Sequence, residues 1–292
     1  FSLTPGGRYY FDLSGASIPG TVNTGNEDGA VSLPDTTLHY VPFTYVGTIN
    51  AYSRNSEGVS NDDTVKPYAH SLFVADYNVT HTVSWNDLNT ASLIFGKNYA
   101  SGGVGYTLRA PSVGSERTSS DDSRRGVPQS NEWDMMLNKN SEYIQNWNKM
   151  SSWGQDAFPD VASGRAVRGY DSARYWYYYN AMYSYPYVGF RPVLEVLNPD
   201  TLGSDGLKVV TLDLGGGKLG NSSEDIQIIV KTGSAFTAPA PDGLTRPDGN
   251  TGSYFMWLGS DGKRYNPGDS VPAVVTTLTA QWRDTEKPTG EI

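Results

Sequence analysis

The sequence predicts a β-rich, globular protein of short strands and loops, of α+β class once its one convincing helical segment is counted, with a small second β module behind it. Three observations lead there. Aromatics reach 12 % of the 292 residues, and 32 glycines and 17 prolines punctuate the chain; β-branched and aromatic residues favour strands, whereas Gly and Pro favour turns. A single stretch, Ser130 to Met150, carries helical spacing. Finally, the texture changes across residues 198–206 (NPDTLGSDG), a Pro/Gly/Asp break.

Taken in order, GRYYFDL (7–13) reads as a strand and residues 17–30 as a loop rich in Gly, Asn, Asp and Pro. Residues 38–52 are strongly β-prone, with Pro42 pointing to an edge or a bulge. Loop returns over 53–64, strand over 70–85, and polar loop over 119–126. The helix would be capped by Ser130, with Glu132 and Asp134 favoured by the dipole of its first turn. Trp133, Met136, Leu137, Tyr143, Ile144, Trp147 and Met150 then recur three, four and seven apart, lining one face. Asn138 to Ser141 interrupt the pattern, so two short helices also fit. Beyond residue 206, LKVVTLDLGGGKL opens a strand and a glycine turn, and SEDIQIIVKTGSAFTAPAP alternates apolar with polar residues. SYFMWLGSDGKRYNPGDSVP joins an aromatic strand to an SDGK turn, and TTLTAQW closes with a strand. The expected division is a domain over 1–198, a module over 207–283, and a polar linker over 284–292.

Charge and composition narrow the function. The net charge is −9 and no Lys/Arg run occurs, which argues against nucleic acid, where affinity comes from counterion release, and against anionic membrane surfaces. No stretch approaches the roughly 20 apolar residues of a membrane span. There are no cysteines, which removes thiolate nucleophiles, zinc–cysteine sites and iron–sulfur clusters, and fits a cytosolic protein or a bacterial surface that does without disulfides. The chain begins at Phe1, which suggests a mature or excised form whose signal peptide is gone. Only three histidines occur, His39, His70 and His81. No Ser/His/Asp pattern, HExxH or P-loop accompanies them, and Leu214-Gly215-Gly216-Gly217 precedes no helix. No carboxylate pair is singled out for glycosidase chemistry. Asp62-Asp63 and Asp121-Asp122 offer oxygen ligands, although paired loop acids are ordinarily just solvated. No cofactor or metal is expected.

The most distinctive stretch is RAVRGYDSARYWYYYNAMYSYPYVGFRPVLEV (165–196). Eight of the 20 tyrosines fall between Tyr170 and Tyr187, with Trp176 among them. Buried phenol hydroxyls each need a hydrogen-bond partner, so a core cannot easily absorb this many, and at least half should lie on the surface or in a groove. Tyr with Ser, Asn and Asp interspersed is the chemistry of an antibody-like paratope: rigid contact area plus adaptable hydrogen bonds. The alternative is a structural aromatic cluster under a loop. The candidate ligand-binding residues are Tyr170, Asp171, Ser172, Tyr175, Trp176, Tyr177, Tyr179, Asn180, Tyr183, Ser184 and Tyr185.

The flanks carry a resemblance. Arg165-Ala-Val-Arg168-Gly169, Ala173-Arg174 and Gly189-Phe190-Arg191-Pro192 are similar to the end of the formylglycine-generating-enzyme-like branch of the C-type-lectin fold. Upstream, Tyr106-Thr-Leu-Arg109-Ala-Pro111 and Val127-Pro128-Gln-Ser130-Asn-Glu132-Trp133 resemble that family's segment entering a helix, so the likeness runs in order over about 95–197. The enzyme branch depends on cysteines that hold copper, and this chain has none. Within the fold, the variable proteins of diversity-generating retroelements place hypervariable residues just before the Gly-Phe-Arg. Adenine-directed mutagenesis of Asn codons yields Tyr, Ser, Asp and Asn, the types crowded here; Trp176 is not an obvious product of it. Arg168, Arg174 and Arg191 are expected to be structural, holding the loops by bidentate contacts. Trp85-Asn86-Asp87 spells the WND that lectins use for calcium, but it lies early and without a partner loop, so no calcium site is assigned.

The second module resembles the internalin-type B repeat, in VVTLDLGGGKL (209–219), TGSAFTAPAPDG, SYFMWLGSDGKRYNPGDSV and TTLTAQW (276–282), with an insertion around 246–252. The resemblance implies a small β-grasp-like stalk. DTEKPTGEI (284–292) is similar to the opening of bacterial Ig-like repeats, which implies that the native chain continues. The expected protein is a secreted or cell-surface bacterial one, anchored through parts outside this chain. It would bind a protein or glycan on another cell or host surface, through a face that is hypervariable. A fixed glycan- or protein-binding adhesin is the alternative, followed by a hydrolase.

Overall fold

The structure, a computed structural model, describes residues 3–25, 33, 37–56, 65–119, 125–202, 206–247 and 254–282. The acid pairs at 62–63 and 121–122 and the linker at 284–292 lie outside these residues.

The chain opens with β1 (Arg8–Phe11), β2 (Thr21–Val22), β3 (Val41–Ala51), β4 (Tyr68–Ala75) and β5 (Thr80–His81). Helix α1 (Trp85–Thr90) follows, then β6 (Lys97–Ser101), β7 (Val104–Arg109), β8 (Glu116–Arg117) and β9 (Gly126–Val127). Helix α2 (Glu132–Lys139) precedes β10 (Ser151–Ala157), β11 (Gly164–Gly169), β12 (Trp176–Asn180), β13 (Val188–Phe190) and β14 (Val193–Val196). Past the break come β15 (Leu207–Asp213), β16 (Lys218–Leu219), β17 (Ile226–Lys231), β18 (Phe236–Thr237) and β19 (Leu244–Thr245). The last are β20 (Phe255–Gly259), β21 (Arg264–Tyr265), β22 (Ser270–Val271) and β23 (Thr277–Trp282).

The α+β expectation is therefore corrected: the described residues are mostly β, with 43 % strand against 9 % helix. The reason lies in residues 132–150. Helix α2 is capped by Asn131 rather than Ser130, the Asn131 carboxamide oxygen accepting from the Asp134 N–H at 2.8 Å. It ends at Lys139, because Asn140 leaves helical backbone (φ −161°, ψ 121°) and turns its side chain to cap a 3₁₀ turn over Ser141–Tyr143. Asn146 and Lys149 then adopt positive φ (53° and 60°), which no helix tolerates. Trp133, Met136, Leu137, Tyr143, Ile144 and Met150 are all buried regardless. Their spacing recorded burial, not a continuous helix.

One six-stranded sheet runs β1-β3-β4-β14-β7-β6 and a second β12-β11-β10-β13-β5-β2. Strand β3 is internal, pairing with both β1 and β4. Pro42 lies just ahead of the β4 ladder, which starts at Phe43, and the bulge falls between Tyr45 and Gly47. The apolar core gathers Phe11, Phe43, Phe73 and Tyr106, packed edge to face, with Trp85, Trp153 and Phe190. A further cluster, Val46, Trp133, Met136, Trp176 and Val193, holds α2 against the strands. Gly189 is dictated by this packing: a Cβ there would lie 2.2 Å from the Thr80 carbonyl oxygen.

A third sheet, β17-β15-β23-β20-β21, takes all its strands from residues 207–282, with β15 and β23 parallel. Its core is built on Leu212, Trp257 and Leu278, and Tyr40 from the earlier part of the chain joins it. The Lys231 N–H also donates to the Gly102 carbonyl at 2.7 Å. Among the described residues, no helix is long and apolar enough to cross a membrane.

Candidate functional site

Strand β12 is the outer strand of its sheet, paired on one side with β11 in the register Arg168↔Trp176, Val167↔Tyr177, Ala166↔Tyr178 and Arg165↔Tyr179. Side chains alternate across a strand, and this decides what each aromatic does. Trp176 points inward and is fully buried, its indole N–H donating to the Gly114 carbonyl at 3.0 Å and its ring edge-on to Phe158 at 5.4 Å. Its assignment to the ligand-binding set is corrected on that ground. Tyr178 shares that side, 4.4 Å from Phe158.

Tyr175, Tyr177 and Tyr179 occupy the alternate positions. Tyr177 touches Tyr175 (6.2 Å between centroids) and Tyr179 (5.3 Å). Tyr179 reaches Tyr185 at 5.4 Å and Tyr187 at 6.2 Å. Tyr185 and Tyr187 stack at 5.1 Å, and each passes the contact on, to Tyr183 at 5.9 Å and to Tyr170 at 5.8 Å respectively. These seven tyrosines form one connected surface, and Tyr178 joins it from the inner side by stacking on Tyr177 at 5.4 Å. None of the eight between 170 and 187 is fully buried; Tyr177 and Tyr183 are the most open, at 36 % and 47 % exposure. Asp171 and Ser184 are exposed, and Tyr170, Ser172, Tyr175, Tyr179, Asn180 and Tyr185 half-buried. Tyr179 roots the surface in the core, edge-on to Trp153 at 6.4 Å. Burial, joined by the neighbouring tyrosines, pushes its phenol pKa well above the usual value.

The loops that carry these rings are tied down. Tyr170 holds a left-handed backbone (φ 90°), with its N–H donating to the Trp147 carbonyl at 2.9 Å and its carbonyl accepting from Lys149 at 3.0 Å. The Lys149 ammonium lies 5.4 Å from the Tyr170 ring centroid. In the β12–β13 loop the Asn180 carboxamide accepts from the Met182 N–H at 3.0 Å and donates to Ser163 at 3.1 Å. Thr82 donates its N–H to the Tyr185 carbonyl at 3.2 Å, and Ser151 to that of Tyr187 at 2.8 Å. Two residues of this stretch are not among the individually named candidates. Tyr187 continues the alternation two places past Tyr185, a signal present in the run. Met182, 67 % exposed at the loop tip, carried none.

The arginines of the flanking motifs are supports, Arg168 and Arg191 fully buried and Arg174 half-buried. Arg168 makes two contacts with Asp134, at 2.8 and 3.1 Å, and Arg174 reaches the same carboxylate at 2.8 Å. Arg191 departs from the bidentate expectation: it donates to the carbonyls of Ala75 (3.0 Å) and Asn146 (3.3 Å) and to the Ser152 hydroxyl (3.3 Å). Burial pulls its pKa down to about 10.

Chemistry elsewhere is sparse. Among the described residues no group of three or more His, Asp or Glu could hold a metal. The WND triplet starts α1, with the Asp87 N–H donating to the capping Ser84 hydroxyl at 3.0 Å. His39 faces Asp12 (3.1 Å) and Ser14 (3.5 Å) through the same Nδ1, so it cannot relay a proton from Ser14 to Asp12. A groove of about 970 Å³, lined by Asp12, His39, Lys97, Tyr99 and Phe236, lies apart from the tyrosine surface, with none of that surface's rings in its walls.

No protein-family model matches the sequence, and no curated protein matches it closely. Among solved structures the chain is similar to Treponema denticola variable protein 1, at 12 % identity, over 52 % of this chain and 95 % of that one, with a TM-score of 0.26. With a superposition that loose, the functional reading rests on this chain's own residues.

Proposed function

We propose that the chain is a non-catalytic ligand-binding protein of a bacterial surface, whose recognition face is the tyrosine network of β12 and the loops on either side of it. The connected, partly exposed set of seven rings carries this reading. Their mutual edge contacts and the hydrogen-bonded loops fix the rings before a ligand arrives, which lowers the entropy lost on binding. Interfaces concentrate their energy in such aromatic anchors. The ligand would be a protein or glycan on another cell or host surface, and residues 207–283 would serve as a spacer. The sequence likeness to diversity-generating retroelement proteins supports a diversified face, since Tyr, Ser, Asp and Asn make up most of the exposed and half-buried positions of 170–187, with Met182 and Pro186 among the departures, while buried Trp176 is of another type.

The test is to probe the chain against arrays of glycans and surface proteins, in parallel with Tyr177→Ala/Tyr183→Ala. A ligand that the wild type retains and the folded variant loses supports the reading. Equal retention by both removes the face from recognition. A near-identical template repeat beside a reverse transcriptase in the genome would mark the face as diversified; absence of the repeat would mark it as fixed.

A further inference from the structure

Beyond Lys149 at its Tyr170 end, the tyrosine face holds little positive charge. The single basic side chain between 170 and 187, Arg174, is taken up by Asp134 at 2.8 Å and Asn138 at 2.7 Å. Exposed carboxylates stand in the face's own loop and on segments hydrogen-bonded to it. Asp171 lies in the loop between Tyr170 and Tyr175, and Asp160 in the β10–β11 turn whose Ser163 carbonyl holds the Ala181 N–H at 2.8 Å. Asp87 opens α1 beside Asn86, whose N–H donates to the Ala181 carbonyl at 3.0 Å. Tyrosine ring faces carry the negative lobe of the π quadrupole, so rings and carboxylates present the same sign. One contact of a cation with such a ring is already made within the chain: the Lys149 ammonium lies 5.4 Å from the Tyr170 ring centroid.

Resting on the recognition reading above, we propose that the tyrosine face takes an arginine-rich segment of a partner protein, whose guanidinium groups stack on Tyr175, Tyr177 and Tyr183 while Asp171 supplies the carboxylate. Arginine fits better than lysine because its planar, weakly hydrated fork can stack on a ring and donate sideways at once. Tyr175 and Tyr177 lie 6.2 Å apart with their planes only 32° from parallel, so that neighbouring flat cations can stack on both.

Calorimetric titration of the whole chain with octa-arginine, octa-lysine and octa-glutamate at physiological ionic strength tests this. Octa-arginine should bind several-fold more tightly than octa-lysine, and octa-glutamate not at all. Tyr175→Leu/Tyr177→Leu/Tyr183→Leu should weaken octa-arginine by roughly tenfold or more, whereas the matching Phe triple, which keeps the ring faces, should stay within about threefold. Equal binding of octa-arginine and octa-lysine, untouched by the Leu triple, would overturn the proposal and reduce the effect to net charge. Should circular dichroism show the Leu triple unfolded, Tyr183→Leu alone and the arginine-to-lysine ratio decide. If octa-arginine fails while the Ala variant still loses an array ligand, the arginine inference falls and the recognition face stands. If neither responds, both fall.

Discussion

Arg168 and Asp134 meet through two hydrogen bonds, Nη2 to Oδ1 at 2.8 Å and Nη1 to Oδ2 at 3.1 Å, with both side chains sealed from solvent. Burial alone would raise the Asp134 pKa. The Arg168 charge and hydrogen bonds from Arg168, Asn131 and the Gly126 N–H outweigh it and hold the carboxyl below its ordinary value. The pair joins β11, the strand under the tyrosine face, to α2. Asp134→Ala leaves a buried guanidinium without its counter-charge, and the loss should be about 3–5 kcal/mol in urea unfolding. A loss under about 1 kcal/mol would mean that solvent reaches the pair.

Trp133 and Phe190 are fully buried, and the Trp133 indole N–H donates to the Ala173 carbonyl at 2.8 Å. Either residue changed to Ala should cost roughly 3–5 kcal/mol through lost burial and a cavity. Trp133→Phe should cost less but still leave that carbonyl short of a donor. Thermal or chemical denaturation of the three variants checks the order.

Acid should destabilise this protein through Glu132 and, in the same direction, through Asp134. Burial works to raise the Glu132 pKa, but two contacts from Arg109 (2.7 and 2.8 Å) and one with His70 (2.6 Å) bring it from 4.5 down to about 2. A folded-state pKa below the unfolded one contributes stability that is complete above about 4.5 and is lost as pH falls toward 2. The loss should be on the order of 3 kcal/mol. Asp76, whose pKa burial raises, works in the opposite direction. Stability measured against pH for the wild type and Glu132→Gln isolates the Glu132 share, and the variant's profile should be flatter below pH 4.5.

On the face itself the rings are not equivalent. Tyr177→Ala and Tyr183→Ala should leave the melting temperature within a few degrees, because exposed sites contribute little. Tyr179→Ala should cost about 1–2 kcal/mol, because it also removes the ring seated against Trp153. Equal melting temperatures for all three would show that Tyr179 does not anchor the network.

How much of this could be read from the sequence depends on the range of the forces involved. The strands at 8–11, 41–51 and 68–75 follow from local composition, and the tyrosine run declares itself by density. The direction of each ring does not: aromatics stand at every position from Tyr175 to Tyr179, so alternation gives no contrast, and only the packing of Trp176 against Gly114 and Phe158 sets the inner side. The helical pattern over 132–150 misled because buried loop residues can share helical spacing by chance of packing. Pairs such as Asp134 with Arg168 are 34 residues apart, and no local rule couples them.

The left-handed backbone of Tyr170 is the last feature hidden from composition, and it lends itself to a sharp test. A bulky residue at φ 90° is strained, and here two backbone hydrogen bonds with Trp147 and Lys149 hold it there. Glycine ordinarily destabilises relative to alanine by about 0.5–1 kcal/mol. At this position the order should reverse, with Tyr170→Gly more stable than Tyr170→Ala by about 1 kcal/mol, since only glycine adopts that φ without cost. Both variants lose the contact with Tyr187 and the ring beneath Lys149, so both should lose ligand affinity alike. Urea midpoints that place Ala above Gly would show that the loop relaxes out of the left-handed region once the ring is gone. The ring would then be what holds the backbone, rather than the backbone presenting the ring.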